Sequence, residues 1–337
     1  MLEGTPVVER AAAGARERRG AAILSVGAEL PRRRVSNDEV AAQIGKTDEW
    51  IYTRTGIRER RHAEPDESLT GIAAAAGREA LERAGIAVDA LDLVVVATLT
   101  GDERMPNAAA MLARALGAPT SVGTVEVNAA CTGFLTALSI AAAHLEAGRA
   151  QRALVVGADL LSRVLDRDSK QTAMLFADGA AAVVLGATAP GAGRVGPILL
   201  RHDAASPEYL YLSRAAGSTI EMDGHETFKH AVARIVEVTH ETVAAAGAGL
   251  ADIDLFVYHQ ANSRILRAVA ERLELDESRV IDCIELTGNM SAASVPYALA
   301  TAHADGRLAD GARVLLAAFG GGFTWGGAVV EWGAGDA

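Results

Sequence analysis

Short apolar runs alternate with helical patterns along most of this chain, and that alternation limits its fold more than any other feature. Segments 91–100 and 153–159 are apolar runs bounded by turn residues, which is typical of strands covered on both faces. Segments 69–86 and 225–247 have the apolar spacing of amphipathic helices. Buried strands interleaved with helices predict an α/β fold with layered, parallel or mixed sheets.

The same runs indicate an internal duplication. Residues 91–96 resemble residues 253–258 at an offset of 162, and three later pairs of segments follow in the same order. The offset stays near 160 and then drops by about 15, which predicts an insertion in the first half between Ala158 and Asp178. We expect two similar halves packed about a pseudo-twofold axis.

The duplication predicts where two polar residues meet. Adding 159 to Cys131 gives Met290, the neighbour of Asn289. Cys131 and Asn289 are therefore expected at matching helix starts, facing one cleft between the halves. A thiol at a helix N-terminus is exposed to unpaired N–H groups, which favour the thiolate. A buried inert cysteine is the alternative for Cys131, and Cys283 is expected to be structural.

Two further positions follow buried strands. His259 lies at the carboxyl end of a predicted strand, where open α/β sheets build their sites, although a structural or solvated histidine is the alternative. The run Gly320-Gly321-Gly322 also follows such a strand and suits oxyanion binding by backbone N–H groups. Asn289 is either part of the same site as Cys131 and His259 or an ordinary helix N-cap.

Composition excludes several functions. The chain has 32 basic and 43 acidic side chains and a net charge of −11, which argues against nucleic acid as a partner and weakly against an anionic membrane surface. We expect no membrane span and no metal site, and the two cysteines favour a reducing cytoplasm. Residues 1–20 lack a signal-peptide core and predict a loosely ordered tail or a short docking helix.

Five motifs together carry a more specific resemblance. They are DEWIYTRTGIRERR (48–61), EVNAACTGF (126–134), YHQANSRI (258–265), GNMSAASVPYAL (288–299) and FGGGFTWGGAVV (319–330). On these motifs the chain resembles the β-ketoacyl-acyl-carrier-protein synthase III family of the thiolase superfamily. The resemblance implies a layered α-β-α-β-α arrangement of two duplicated halves, an N-terminal half at 21–190 with the nucleophile and a C-terminal half at 191–337 with the histidine and asparagine.

The resemblance also implies roles for individual residues. Cys131 matches the nucleophile that becomes acylated, and His259 and Asn289 match the pair that binds the malonyl thioester carbonyl. The other implied groups are an oxyanion hole at Cys131 and Gly321; coenzyme A contacts at Trp50 and Arg54, on either side of the adenine, and at Lys170, Asn262 and Gly224; an acyl pocket at Met105, Met222, Phe228 and Phe319; and carrier-protein docking at Arg264 and Arg267.

The family pattern implies a reaction without a permanently bound cofactor. Acyl-CoA would acylate Cys131, and decarboxylative condensation with malonyl-carrier protein would then give a β-ketoacyl-carrier protein that starts a fatty-acid or polyketide chain. A homodimer is implied, with Met105 reaching the partner's acyl pocket. Met105 replaces a phenylalanine of some members, and Lys170 replaces an arginine, so a specialised starter unit is expected.

Two alternative functions stay open on the sequence alone. One is an acyltransferase that passes the acyl group to another acceptor without decarboxylation. The other is a catalytically silent partner subunit, which the intact Cys131, His259 and Asn289 oppose. Carrier protein is normally acidic, so docking needs a local basic patch, and Arg264, Arg267 and Arg272 share one broad helical face that is otherwise an ordinary solvated surface.

Overall fold

The computed structural model describes residues 19–205, 207–213, 215 and 217–333. The tail expected at 1–20 falls largely outside these residues. Gly20 is described, and it is the first residue of a strand rather than part of a tail.

The elements follow one another along the chain in the alternating order that the apolar runs predict. The strands are β1 (Gly20–Glu29), β2 (Arg33–Ser36), β3 (Glu59–His62), β4 (Leu93–Ala97), β5 (Gly123–Val127), β6 (Arg152–Leu160), β7 (Asp178–Thr188), β8 (Val195–His202), β9 (Leu210–Tyr211), β10 (Glu221–Met222), β11 (Leu255–Tyr258), β12 (Arg313–Gly320) and β13 (Thr324–Glu331). The helices are α1 (Asn37–Ile44), α2 (Asp48–Thr55), α3 (Leu69–Ala84), α4 (Ala108–Leu116), α5 (Gly133–Glu146), α6 (Gly224–Ala245), α7 (Ser263–Arg272) and α8 (Ser294–Ala304).

Two mixed sheets form the body of the protein. The first has the order β1-β7-β6-β4-β5, in which β4 is parallel to β5 and β6, and β7 is antiparallel to both of its neighbours. The second has the order β8-β13-β12-β11, with a parallel pair at β11 and β12 and antiparallel pairs elsewhere. An isolated parallel bridge from Phe256 to Val280 lies where β5 lies in the first sheet. The strand order and directions are therefore repeated.

Helices α5 and α8 lie between the two sheets, and both are apolar on most sides. The central core joins side chains of the first sheet, such as Val155, to Leu138 of α5, Leu299 of α8 and Leu316 of the second sheet. Helices α3 and α4 cover the outer face of the first sheet, and α6 and α7 cover that of the second. The result is five layers, α-β-α-β-α, as expected. Shortening a fully buried core residue such as Leu138 to alanine costs about 2–5 kcal/mol.

The strand registers give the offset between the repeats. Leu154 pairs with Val184 in the first sheet, and Leu315 pairs with Val329 in the second, so β6 and β12 match at an offset of 161. A single-turn helix precedes each central helix, Ala130–Thr132 before α5 and Ser291–Ala293 before α8, at that same offset. The offset of 159 expected at Cys131 is thus wrong by two residues.

The insertion predicted in the first half is present. Seventeen residues, 161–177, join β6 to β7, whereas three residues, 321–323, join β12 to β13. This insertion packs together with α1, α2, β9 and β10 into a separate apolar cluster beside the two sheets. The cluster forms one wall of the cavity described below.

Candidate active site

A cavity of about 340 Å³ opens where the carboxyl ends of strands from both sheets meet. Cys131, His259 and Asn289 all line it. Its other lining residues come from α2, the 161–177 insertion, β9, β10, α6, α7 and β12, and are mostly apolar: Arg54, Gln171, Met174, Leu175, Phe176, Leu210, Met222, Gly224, His225, Thr227, Phe228, Ala231, Ile235, Ala261, Asn262, Arg264, Ile265 and Phe319.

Residues 128–133, the Cys131 turn, lead from β5 into α5. Ala130 has a φ of 46°, a left-handed conformation that costs a non-glycine residue about 1 kcal/mol or more. The N–H of Ala130 donates to Oδ1 of Asn128 at 3.4 Å. Gly320 of β12 packs directly on this turn, because a Cβ at that position would lie 2.8 Å from the Cys131 nitrogen. The nucleophile turn of the first half is thus supported by a strand of the second.

The thiol of Cys131 is buried in this arrangement. Burial raises its pKa to about 12, the nearby Ser291 hydroxyl lowers it, and the charge of Asp159 raises it. The expectation that the helix N-terminus favours the thiolate is therefore not met, because removal of the thiol from water outweighs the effect of the helix end on its pKa. The proton must leave the sulfur during the reaction itself.

His259 follows β11 at the floor of the cavity. Its N–H donates to the Ala317 carbonyl at 2.8 Å, which extends the β11–β12 ladder by one residue. The ring is almost fully buried, and burial lowers its pKa to about 3. The imidazole is therefore neutral throughout the physiological range and keeps one N–H to donate.

Residues 289–294, the Asn289 turn, lead into α8 and repeat the geometry of the Cys131 turn. Ser291 has a φ of 48°, and its N–H donates to Oδ1 of Asn289 at 2.9 Å. Because Oδ1 is used in this way, the carboxamide NH₂ of Asn289 is the group left for a ligand. The backbone of Asn289 donates to Leu175 and accepts from Ala177, so the insertion fixes it from the other side.

The mouth of the cavity is lined by α2, α6 and α7. The guanidinium of Arg54 stacks on the Trp50 ring at 4.2 Å from its centroid, and Nδ2 of Asn262 donates to the Arg54 carbonyl at 3.0 Å. Asn262 also caps α7, since its Oδ1 accepts from the N–H of Arg264. The Arg264 guanidinium lies 5.6 Å from the Phe228 ring centroid.

Comparison with known proteins agrees with this geometry. Residues 125–204 match the family model for 3-oxoacyl-acyl-carrier-protein (ACP) synthase III, and residues 243–332 match that for the C terminal of the same enzyme. The β-ketoacyl-acyl-carrier-protein synthase III of Caulobacter vibrioides is 41% identical over 319 residues, covering 92% of this chain and 98% of that protein.

Solved structures give the same answer. The 3-oxoacyl-acyl-carrier-protein synthase III of Aquifex aeolicus superposes with a TM-score of 0.89 at 36% identity, over 93% of this chain and all of the other. The priming β-ketosynthase of the R1128 polyketide biosynthetic pathway superposes with a TM-score of 0.90 at 38% identity, over 95% of this chain and 99% of the other.

The chain belongs to the β-ketoacyl-acyl-carrier-protein synthase III family. The repeated, five-layered architecture is the thiolase fold, and the protein is an acyltransferase of the condensing-enzyme type. The resemblance inferred from the five motifs is confirmed.

Several residues expected at the site of this synthase III-family protein do not line the cavity. Met105 lies on the surface and is 87% exposed, while Lys170 and Arg267 are exposed on the insertion and on α7. Trp50 does not line the cavity, and the guanidinium of Arg54 stacks on its ring. Gly321 follows the glycine that contacts Cys131, and a Cβ on it would meet the Leu210 carbonyl at 2.9 Å. Of the basic residues proposed for docking, only Arg264 reaches the cavity itself.

The sequence reasoning missed a second set of residues that support the synthase III-family site. Asp159, at the end of β6, is fully buried and accepts hydrogen bonds from both halves of the protein. Arg60 is also fully buried, and its guanidinium donates to the Met174 carbonyl at 2.9 Å, which steadies the insertion beside Asn289. A polar residue at the end of a buried strand was the available signal for Asp159, as it was for His259.

Two negative findings apply to the described part of the chain. No helix there is long and apolar enough to cross a membrane. No group of three or more histidine, cysteine, aspartate or glutamate side chains is arranged there to hold a metal ion.

Proposed function

We propose that this protein transfers an acyl group from coenzyme A to Cys131 and then condenses it with malonyl-carrier protein, with loss of carbon dioxide. The observation that carries the proposal is the meeting of Cys131, neutral His259 and Asn289 in one mostly apolar cavity. A β-ketoacyl-carrier protein is the product, which would start a fatty-acid or polyketide chain. No permanently bound cofactor is required.

In the first half-reaction, the Cys131 sulfur attacks the thioester carbonyl of the acyl-CoA. The C–S bond to coenzyme A breaks, and the thiol proton of Cys131 ends on the departing coenzyme A sulfur. The N–H groups of Cys131 and Gly321 are the proposed oxyanion donors, and loss of one such donor typically lowers the rate by about 10²–10³. The buried, neutral thiol of the resting protein limits wasteful reactions before a thioester arrives.

In the second half-reaction, malonyl-carrier protein occupies the same cavity. Cleavage of the carbon–carboxylate bond releases carbon dioxide and leaves an enolate, whose oxygen needs hydrogen-bond donors. Neutral His259 and the NH₂ of Asn289 are suited to this, whereas a carboxylate would repel the enolate. The carbanion attacks the acyl carbonyl, and the Cys131 sulfur departs and takes up a proton.

The cavity mouth is the proposed coenzyme A site, with Arg54, Asn262 and Gly224 on its wall. A purine inserted between Trp50 and Arg54 needs about 7 Å, twice a contact distance of about 3.5 Å. The guanidinium lies only 4.2 Å from the ring centroid, so it must move aside when the adenine binds. Lys170 is proposed to reach the coenzyme from the insertion, and Met222, Phe228 and Phe319 to contact the acyl group.

Carrier protein is proposed to dock on α7. Arg264, Arg267 and Arg272 are exposed on that helix, and Arg264 lies at the cavity mouth. Arg234 on the neighbouring helix α6 does not extend this patch, because it contacts Glu237, Asp203 and the Trp325 ring. Replacing Arg264 with glutamate should raise the KM for malonyl-carrier protein about tenfold and leave acylation by acyl-CoA nearly unchanged, because only the protein substrate needs the patch. Exposed Arg149, beyond the far end of α5, is the matched control; an equal loss in both half-reactions would contradict docking at α7.

A homodimer in the cytoplasm is part of the proposal. Edge strand β5 carries half-buried Val125 and Val127, and Met105 and Leu200 are exposed apolar side chains in the single chain. A second copy would cover such groups, with Met105 reaching the partner's acyl pocket. Cys131 and Cys283 are both free thiols, as is usual in a reducing compartment.

The deciding experiment follows labelled carbon dioxide released from malonyl-carrier protein in the presence of a panel of acyl-CoAs. We expect release that depends on the acyl-CoA and matches the β-ketoacyl product mole for mole. Transfer of the acyl group to an acceptor with no carbon dioxide would favour the non-decarboxylating acyltransferase. Failure of Cys131 to take up any acyl group would favour a silent subunit.

A further inference from the structure

A carboxylate that the proposed chemistry does not use lies beneath the two active-site turns. Asp159 is the last residue but one of β6 and has no solvent exposure. Its Oδ1 accepts from Thr98 Oγ1 at 3.1 Å, from the N–H of Leu99 at 2.9 Å and from Thr100 Oγ1 at 3.0 Å. Burying a charge costs several kcal/mol unless it is well bonded, so a residue of this kind is retained for what it holds.

The other oxygen of this carboxylate reaches into the second half of the protein. Oδ2 of Asp159 accepts from the N–H of Ala292 at 3.3 Å. The Ser291 hydroxyl lies near both Asp159 and the Cys131 sulfur, and it lowers the pKa of each. Ser291 and Ala292 belong to the Asn289 turn. The N–H of Ser291 donates to Oδ1 of Asn289 and so orients the Asn289 side chain. One buried side chain thus connects the carboxyl ends of β4 and β6 to the Asn289 turn.

The two halves of the protein differ at this contact, because only the first half supplies a carboxylate to the turn of the other half. At the offset of 161, the counterpart of Asp159 is Gly320, and each lies against the turn of the opposite half. Gly320 has no side chain, and one would collide with the Cys131 nitrogen at 2.8 Å. Bare backbone thus packs on both turns, at Gly320 for the Cys131 turn and at Gly157 for the Asn289 turn, but only the Asn289 turn also bonds to a carboxylate.

We propose that Asp159 is a positioning residue for the decarboxylating half-reaction, acting through the Asn289 turn. Its carboxylate accepts from the N–H of Ala292, and thereby fixes the neighbouring left-handed Ser291 and the direction of the Asn289 carboxamide. The inference rests on the proposed function, since it assigns Asp159 to one of the two half-reactions. Asp159 does not touch the reacting atoms.

The test is a double-variant cycle on condensation with malonyl-carrier protein, using Asp159→Asn, Asn289→Ala and both together. An amide has the shape of the carboxylate but cannot accept hydrogen bonds on both sides. Asp159→Asn should lower kcat about 30-fold, with KM within about twofold and the rate of Cys131 acylation within about threefold. In the Asn289→Ala protein, the same change should alter kcat by less than about twofold, because the group through which it acts is gone.

Asp92→Asn is the control for losing a carboxylate that accepts backbone N–H bonds. Asp92 accepts from Gln151 and Arg152 at the start of β6, far along the strand from the site, so kcat should stay within about twofold. Should Asp159→Asn fail to fold, Thr98→Val removes one hydroxyl that donates to the same carboxylate and should lower kcat about fivefold with acylation unchanged.

Three results would overturn the positioning role: effects of Asp159→Asn and Asn289→Ala that multiply, an equal loss in acylation and condensation, or a wild-type kcat in Asp159→Asn. A wild-type kcat in Thr98→Val, where Asp159→Asn does not fold, would overturn it as well. These results differ from failure of the proposed function, in which the unaltered protein itself releases no carbon dioxide from malonyl-carrier protein.

Discussion

The Cys131 turn and the Asn289 turn lead from equivalent sheets into equivalent central helices. Each has an asparagine, at 128 or 289, whose Oδ1 accepts from the N–H two residues later, and each has a left-handed residue at that position. At the position after it, the first turn has Cys131 and the second has Ala292. The same backbone thus presents a sulfur on one side and, on the other, a carboxamide three residues earlier.

The surroundings of the two turns differ in the way these tasks require. Asn128 is exposed and its hydrogen bond is long, at 3.4 Å, whereas Asn289 is buried and its bond is 2.9 Å. The second turn is also held by Asp159 and by the 161–177 insertion. A nucleophile needs room for a tetrahedral intermediate, and an amide donor needs a fixed direction. The two turns share a backbone conformation because of the duplication, and the different packing around each turn suits it to a different role in the reaction.

The largest effect is expected at the sulfur. Cys131→Ala should lower the rate of acyl transfer by at least about 10⁴, because it removes the nucleophile. The altered turn would then resemble the Asn289 turn, which has Ala292 and no reactive group at the matching position. Intact-protein mass measured after incubation with acyl-CoA gives the result. Cys283→Ala is the control and should be acylated normally. Continued acylation of Cys131→Ala would show that the Cys131 turn does not carry the nucleophile.

A smaller but selective effect is expected at the amide. Asn289→Ala should lower carbon dioxide release by about 10²–10³ through loss of one enolate donor, while acylation of Cys131 changes only a few-fold. The comparison predicts that Asn128→Ala has almost no effect on either half-reaction. Equal sensitivity at the two asparagines would show that the turns are not specialised.

Gly320→Ala tests the packing beneath the nucleophile. The added methyl would lie 2.8 Å from the Cys131 nitrogen, so the turn must shift, and acylation should fall about tenfold with a loss of about 1–3 kcal/mol in stability. Gly249→Ala meets nothing closer than 3.6 Å and is the matched control. Normal acylation by Gly320→Ala would mean that the close contact does not set the sulfur's position.

Asp159 should also give a pH-dependent contribution to stability. Burial raises the pKa of its carboxyl from 3.8 to about 6, so the folded state binds the proton more tightly and stability falls as pH rises through this range. Relative to Asp159→Asn, the wild type should lose about 2 kcal/mol between pH 4 and pH 7. Urea unfolding at several pH values measures the difference, and a difference that is flat or rises with pH would contradict the burial of this charge.

The sequence predicted the architecture well because its strands are buried on both faces. The run 91–96 contains strand β4, and the amphipathic spacing of 69–86 correctly predicted helix α3. Strand β8 and helices α1 and α2 were not predicted. Only the first residue of β8, Val195, is buried, and α2 has little apolar asymmetry, so neither has a clear periodicity.

Parts of the site were beyond sequence reasoning for physical reasons. Counting residues between similar segments gave an offset between the halves of 159 at Cys131, two residues short of the observed 161. Apolar runs do not define the register between strands, whereas the hydrogen bonds between paired strands do. The neutral thiol of Cys131 depends on burial by the second half, and the stacking of Arg54 on Trp50 depends on how α2 packs. These are tertiary effects that no local motif contains.

The most direct test of the two-turn account is a pulse and chase on the protein itself. The enzyme is first incubated with acyl-CoA, freed of excess, and then mixed with malonyl-carrier protein, while peptide mass spectrometry follows the acyl group. The account predicts an acyl group on the Cys131 peptide that disappears with release of one carbon dioxide per acyl group and formation of a β-ketoacyl-carrier protein. An acyl group on Cys283, or its loss from Cys131 without carbon dioxide, would contradict it.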